Sequence, residues 1–150
     1  MLDQTDLLIL DILQHNARLS NKDIAAMIGK STSRVFERIR RLKQEGFIKN
    51  FVAVLNEKRI NRGFVVYALV TLQEHSRKML ANFENEVAEL DEVIEAYYMS
   101  GGCHFMLKVA VADMNGYSDF LVKQMSRISE VKTVKSFFVI RHSQQNRLNV

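Results

Sequence analysis

The chain has 150 residues, 47% of them hydrophobic and 25% charged, with one cysteine and no proline. This balance suits one domain or two small ones with a real core, and it excludes a disordered tail, a fibrous repeat and a disulfide-stapled secreted scaffold. The net charge of +4 is unevenly placed: residues 1 to 62 hold twelve Lys/Arg against seven Asp/Glu, and residues 63 to 150 hold nine against ten. The first part is therefore expected to meet a polyanion and the second something else.

The start "MLDQTD" lacks the basic and apolar stretches of a signal peptide, and the longest apolar run, "FVVYALVTL", is too short to span a bilayer. With Cys103 as a lone thiol, a cytoplasmic location is expected. Leu7, Leu10 and Ile12/Leu13 recur at helical spacing, and Asp3, Thr5 and Asp6 suit the amino end of a helix over about 3–15. "LSNKDIAAMIG" predicts a second, short helix, capped by Ser20 or Asn21 and stopped by Gly29.

The third predicted helix runs from a cap at Ser31 to a stop at Gly46, with Val35, Ile39 and Leu42 as its buried stripe. Arg34, Arg38 and Arg41 repeat the same spacing one residue earlier, which makes a rail of guanidinium groups about 100° round the cylinder. Ser31, Thr32 and Ser33 lie at its amino end, where hydroxyls and free N–H groups are natural partners for a phosphate or a base edge. "FIKNFVAVLN" reads as a two-stranded hairpin with Lys49 at a basic tip. Three helices and a hairpin in this order predict a winged helix-turn-helix over 1–55, with the arginine face free to enter the major groove of double-stranded DNA.

After a linker at 56–62 the period changes. "FVVYALVTL" reads as a strand, Met79, Phe83, Val87 and Leu90 mark a helix, and "EVIEAYYM" and "HFMLKVAVA" are strands. Tyr117, Leu121, Met125 and Ile128 mark another helix, and "VKTVKSFFVI" is a last strand. An ungapped shift of thirty-eight residues places Tyr67 on Phe105, Leu69 on Leu107, Met79 on Tyr117, Phe83 on Leu121, Val87 on Met125, Leu90 on Ile128, Glu92 on Glu130 and Val93 on Val131. This predicts a ferredoxin-like βαββαβ domain over 63–141, followed by a tail at 142–150, and the whole is an α+β protein. Strands apolar on both faces predict a dimer or larger assembly through the bare face of the sheet.

Between the middle strands, "YYMSGGCHFML" sets Gly101 and Gly102 at a turn flanked by Tyr98, Met99, Cys103 and His104. Two glycines between strands already make a plain hairpin turn, and a small-molecule site there is the alternative. Catalysis lacks an assembled site: the histidines stand apart at 15, 75, 104 and 142, no metal-ligand spacing occurs, and Cys103 has no activating triad. No cofactor is implied. A nucleoid architectural protein, binding DNA through phosphates with little sequence preference, is the rival to a regulator.

The stretch "LDQTDLLILDILQHNARLSNKDIAAMIGKSTSRVFERIRRLKQEGFIKNFVAVLN" and the later "SGGCHFMLKV" resemble the Lrp/AsnC, or feast/famine, regulators along nearly the whole chain. The resemblance implies a transcription regulator whose dimers assemble into octamers or related rings and respond to amino acids or related metabolites bound between dimers. By position it places Ser31, Thr32, Ser33, Arg34 and Arg38 on the recognition helix, and Gly101, Gly102, His104 and Phe105 in the effector loop. Two departures stand out. Gly102 and His104 occupy places where amino-acid-binding members carry aspartates, which implies an effector not held by its ammonium group, or none. Lys30 replaces a usual aliphatic residue and adds a candidate phosphate contact at the turn.

Overall fold

Reciprocal capping starts the first two helices of the chain, whose computed structural model describes residues 1–141 and 148. The Asp3 carboxylate accepts from the Asp6 N–H at 2.9 Å, and Asp6 accepts from the Asp3 N–H at 3.1 Å, which fixes the entry to α1 (Gln4–His15). Ser20 and Asp23 do the same for α2 (Asn21–Ile28), which Gly29 ends at φ 65°, a left-handed conformation that suits glycine. The third helix, α3 (Thr32–Gln44), begins at Ser31 without any side-chain cap bond. Its buried Val35 and Leu42, with half-buried Ile39, pack on Ile9, Leu13, Ile24 and Ala25. Full burial of each Val, Leu or Ile side chain is worth about 1.5–3 kcal/mol, so this small core holds the three helices together.

The expected hairpin after α3 does not form. The Ile48 N–H donates to the Leu42 carbonyl at 3.1 Å, which turns the first limb back onto α3. The would-be tip, Lys49–Asn50, has no glycine for a tight turn, and the Asn50 side chain accepts from the adjacent Phe51 N–H instead. Residues 51–55 therefore run on with Val52, Val54 and Leu55 exposed, and Lys49 is an exposed loop residue.

Contacts divide the chain between Val54 and Leu55, so the structured 3₁₀ turn Glu57–Ile60 goes with the second unit. That unit holds β1 (Phe64–Leu72), α4 (Arg77–Ala88), β2 (Val93–Tyr98), β3 (Phe105–Val111), α5 (Met114–Asp119) and β4 (Val131–Phe138). The strands form one antiparallel sheet in the order β2-β3-β1-β4, the topology of a βαββαβ unit. Val66, Ala68, Val70 and Leu72 of β1 and Phe105, Leu107, Val109 and Val111 of β3 are buried in one core with Phe83, Val87, Tyr117, Phe120 and Met125. The other sheet face carries Val65, Tyr67, Leu69, Met106 and Phe137, all half-buried or exposed. The expected tail, 142–150, lies outside the described residues except Leu148, whose backbone exchanges two hydrogen bonds with the Gln14 carboxamide.

The uniform thirty-eight-residue shift is corrected. Buried Val66, Ala68 and Val70 match buried Phe105, Leu107 and Val109, whereas Tyr67 and Leu69 face the opposite side of the sheet. A one-residue slip exchanges the two faces of a strand, so the halves correspond at thirty-nine there. The connection from β1 to the α4 cap at Ser76 is then two residues longer than that from β3 to the α5 cap at Asp113. Phe83 consequently matches Phe120, not Leu121. A π turn at Phe120–Gln124 adds one residue back, which brings Met125 into the core with a five-residue step from Phe120. The predicted single helix over 117–128 is thus α5, the π turn and a 3₁₀ turn, Met125–Arg127.

Candidate nucleic-acid interface and effector turn

The amino end of α3 presents Ser31, Thr32, Ser33 and Arg34, all exposed, with exposed Lys30 just before it. Because Ser31 is not spent on capping, its hydroxyl lies 3.4 Å from that of Ser33 and both face solvent. The first N–H groups of a helix lack intrahelical partners, so this end combines donors, hydroxyls and two cations. Among the described residues neither Lys30 nor Arg34 has an ion pair.

The expected arginine rail is not free. Arg38 Nη1 donates to Asp3 Oδ2 at 2.6 Å and to Asp6 Oδ1 at 2.7 Å, and Arg41 Nη2 donates to Asp6 Oδ2. Asp6 is fully buried, while the Arg38 and Arg41 side chains are 31% and 43% exposed. Arg41 Nε is buried without a hydrogen bond, with Glu45 Oε1 4.0 Å away. Burial pushes the Asp6 carboxyl up, but the Asp3 N–H and the two guanidinium groups outweigh it and hold it below the ordinary value. The Asp6 N–H, then Arg38, hold Asp3 low as well. Helical spacing alone could not show this, because the carboxylates come from a helix some thirty residues earlier. Of the other cations, Arg40 is exposed and had no place in the rail, and Lys43 Nζ sits 4.5 Å from the centroid of the Phe51 ring.

In the sheet unit, residues 99–104 join β2 to β3. Gly101 has φ 136°, which favours glycine, and a Cβ placed on Gly101 or Gly102 would meet nothing within 4 Å. His104 is fixed by three bonds: its N–H donates to Val70 O, its carbonyl accepts from the Met99 N–H, and its Nδ1 accepts from the Leu72 N–H, each at 2.9 Å. An Nδ1 that accepts places the ring proton on Nε2 in the neutral form. The His104 ring stacks on His75 at 5.0 Å between centroids, and His75 Nε2 is hydrogen-bonded to the Tyr98 hydroxyl.

The turn thus brings Tyr98 and His104 together and adds His75, which stands apart from His104 in sequence but stacks on it in the fold. His75 sits in the longer β1–α4 connection, which an ungapped repeat hides. Met99 and Cys103 are half-buried beside the turn, and Gly101 and Gly102 are exposed on it. Phe105 does not line it. Its side chain is buried in the core, 4.7 Å from Phe83 and 5.4 Å from Tyr98 between ring centroids.

Residues 2–49 match the family described as winged helix-turn-helix DNA-binding, and residues 65–148 match the Lrp/AsnC ligand binding domain. The chain is 34% identical to the Bkd operon transcriptional regulator of Pseudomonas aeruginosa over 93% of its length and 92% of that protein's. It is 32% identical to the leucine-responsive regulatory protein of Escherichia coli K12, covering 98% of this chain and 90% of the relative. Among solved structures, an AsnC family transcriptional regulator from Agrobacterium tumefaciens matches with a TM-score of 0.90 at 32% identity, over 96% and 94% of the two chains. A transcriptional regulator from Neisseria meningitidis, solved in complex with L-Met, matches with a TM-score of 0.91 at 26% identity, over 97% and 94%. No helix among the described residues is long and apolar enough to cross a membrane. A helix-turn-helix with an open amino end on α3, joined to a βαββαβ unit of the matching topology, makes this chain a member of the Lrp/AsnC family of transcriptional regulators.

Proposed function

We propose that this regulator reads DNA with the amino end of α3 and answers to a small molecule at the turn 99–104. The observation that supports the first part is the uncapped, exposed group Ser31, Thr32, Ser33 and Arg34 with Lys30 beside it. Lys30 and Arg34 are the phosphate-pairing cations, and Lys49 adds charge from the loop beyond α3. Lys30→Ala and Arg34→Ala are each expected to flatten the dependence of binding on salt by about one unit of log K against log salt. Unchanged slopes contradict the assignment. Footprinting separates operator protection from uniform coating of any duplex, and coating favours an architectural protein.

Assembly through the open sheet face follows from half-buried Val65, Tyr67, Leu69 and Met106, which one chain leaves uncovered. Dimers joined there carry two α3 helices for two half-sites, and four dimers make the octamer that the family resemblance implies. Sedimentation of the chain as a monomer contradicts this reading.

The Neisseria relative holds L-Met, whereas the turn here offers His104, whose Nδ1 is taken by the Leu72 N–H, and no carboxylate at Gly102. The open space at Gly102 makes the point testable. L-Met is expected to raise the melting temperature of Gly102→Asp more than that of the wild type, because a carboxylate can pair the ammonium group. A ligand at a hundred times its Kd adds about 2.7 kcal/mol. Equal shifts for the two proteins contradict a role for position 102 in choosing the effector.

A further inference from the structure

We propose that Asp3 and Asp6 set how selectively this regulator holds DNA, by keeping Arg38 and Arg41 of α3 off the phosphates. The inference rests on the reading that α3 meets the duplex. Residues 30–43 carry six cations, Lys30, Arg34, Arg38, Arg40, Arg41 and Lys43, and a helix so charged would grip any DNA. Non-specific affinity comes from counterions released at each phosphate contact, with a slope of roughly 0.9 per contact on B-DNA.

The geometry removes two cations from that count. Arg38 and Arg41 share the buried Asp6 carboxylate, and Arg38 adds Asp3, so the four side chains together carry no net charge. Asp6 cannot swing away, because its carboxylate is enclosed, is held by both guanidinium groups and accepts from the Asp3 N–H at 3.1 Å. Asp3 is fixed in turn as the cap of α1. The two carboxylates are positioning residues: they touch α3 and not the duplex. With Arg38 and Arg41 held on the α1 side, four of the six cations remain to meet phosphates, and base-edge contacts count for more of the total affinity. Capping and stability alone would give the same pairs, but they would leave the salt dependence of binding to random DNA unchanged when the pairs are opened.

The test measures binding of the full chain to a random-sequence duplex over a salt series, with helicity checked by circular dichroism. Asp3→Asn with Asp6→Asn keeps an amide cap at the α1 entry and removes both negative charges. Its slope is expected to steepen by up to about 1.8, which is two regained phosphate contacts, with tighter random-duplex binding at low salt. A folded double variant with the wild-type slope overturns the proposal. Arg38→Gln and Arg41→Gln in the otherwise wild-type chain supply a second arm, independent of how the aspartate variants fold. Both are expected to keep the wild-type slope, and a slope shallower by about 0.9 would show the arginine on a phosphate and overturn the proposal. If the wild type binds no duplex, or Lys30→Ala and Arg34→Ala leave its slope untouched, the reading of α3 has failed instead.

Discussion

Phe105→Ala is expected to cost the sheet unit about 3–5 kcal/mol, the range for deleting a fully buried aromatic side chain. The ring lies between Phe83 and Tyr98 under the sheet and belongs to the same core as Val70, Leu107 and Met125. Little can collapse into the space, because β3 is an interior strand, hydrogen-bonded to β1 on one side and β2 on the other. Urea unfolding followed by amide exchange at Val70 and Leu107 measures the loss. A change below about 1 kcal/mol would remove Phe105 from the core and return it to the turn. The functional consequence is that loss of effector response in this variant reports a loosened core, whereas Gly102 and His104 can be tested at the turn itself.

Asp6→Ala is expected to destabilise the amino-terminal unit by about 3 kcal/mol and to leave the sheet unit unchanged. Removing one partner of a buried ion pair leaves the others uncompensated, here two guanidinium groups at once. The cost stays near the lower end of the usual range because the Arg38 and Arg41 side chains keep 31% and 43% exposure and can regain water. Replacing the arginines as well, by Arg38→Met and Arg41→Leu, is expected to recover most of the loss, and failure to do so contradicts the ion-pair account. Acid acts in the same direction. The Asp3 and Asp6 carboxyls titrate below their ordinary 3.8 in the folded chain. Their contribution is therefore full above that value and fades as pH falls through the folded values. Urea midpoints of the α1 amides, measured downward from pH 7, are expected to drop in that window, and Asp6→Asn to flatten the drop.

Most parts of this molecule that repeat locally are announced by its sequence. The caps at Asp3 and Ser20, the stripe Val35, Ile39 and Leu42, and the apolar runs of β1 and β3 each depend on neighbours within one element and are found there, whereas the local spacing Tyr117, Leu121, Met125 and Ile128 is broken by the π turn. Long-range pairings are different. Asp3 and Asp6 read as cap residues and are, but the same carboxylates also pair Arg38 and Arg41 of α3, and nothing in the spacing of α1 points to those arginines. His75 joins His104 and Tyr98 only because the sheet brings the end of β1 beside the β2–β3 turn. Lys49 lies in a loop and not at a hairpin tip for a backbone reason, since Ile48 spends its N–H on Leu42 and leaves no ladder for a hairpin to begin.

For anyone who wishes to build a symmetric version of the sheet unit from a single half, the π turn at Phe120–Gln124 dictates the cut points. A uniform thirty-eight-residue correspondence would set the strands one residue out of frame and put the hydroxyphenyl ring of Tyr67 in the inward place of Phe105. The graft has to shorten the loop that bears His75 and keep the wide turn after Asp119 as one inseparable change.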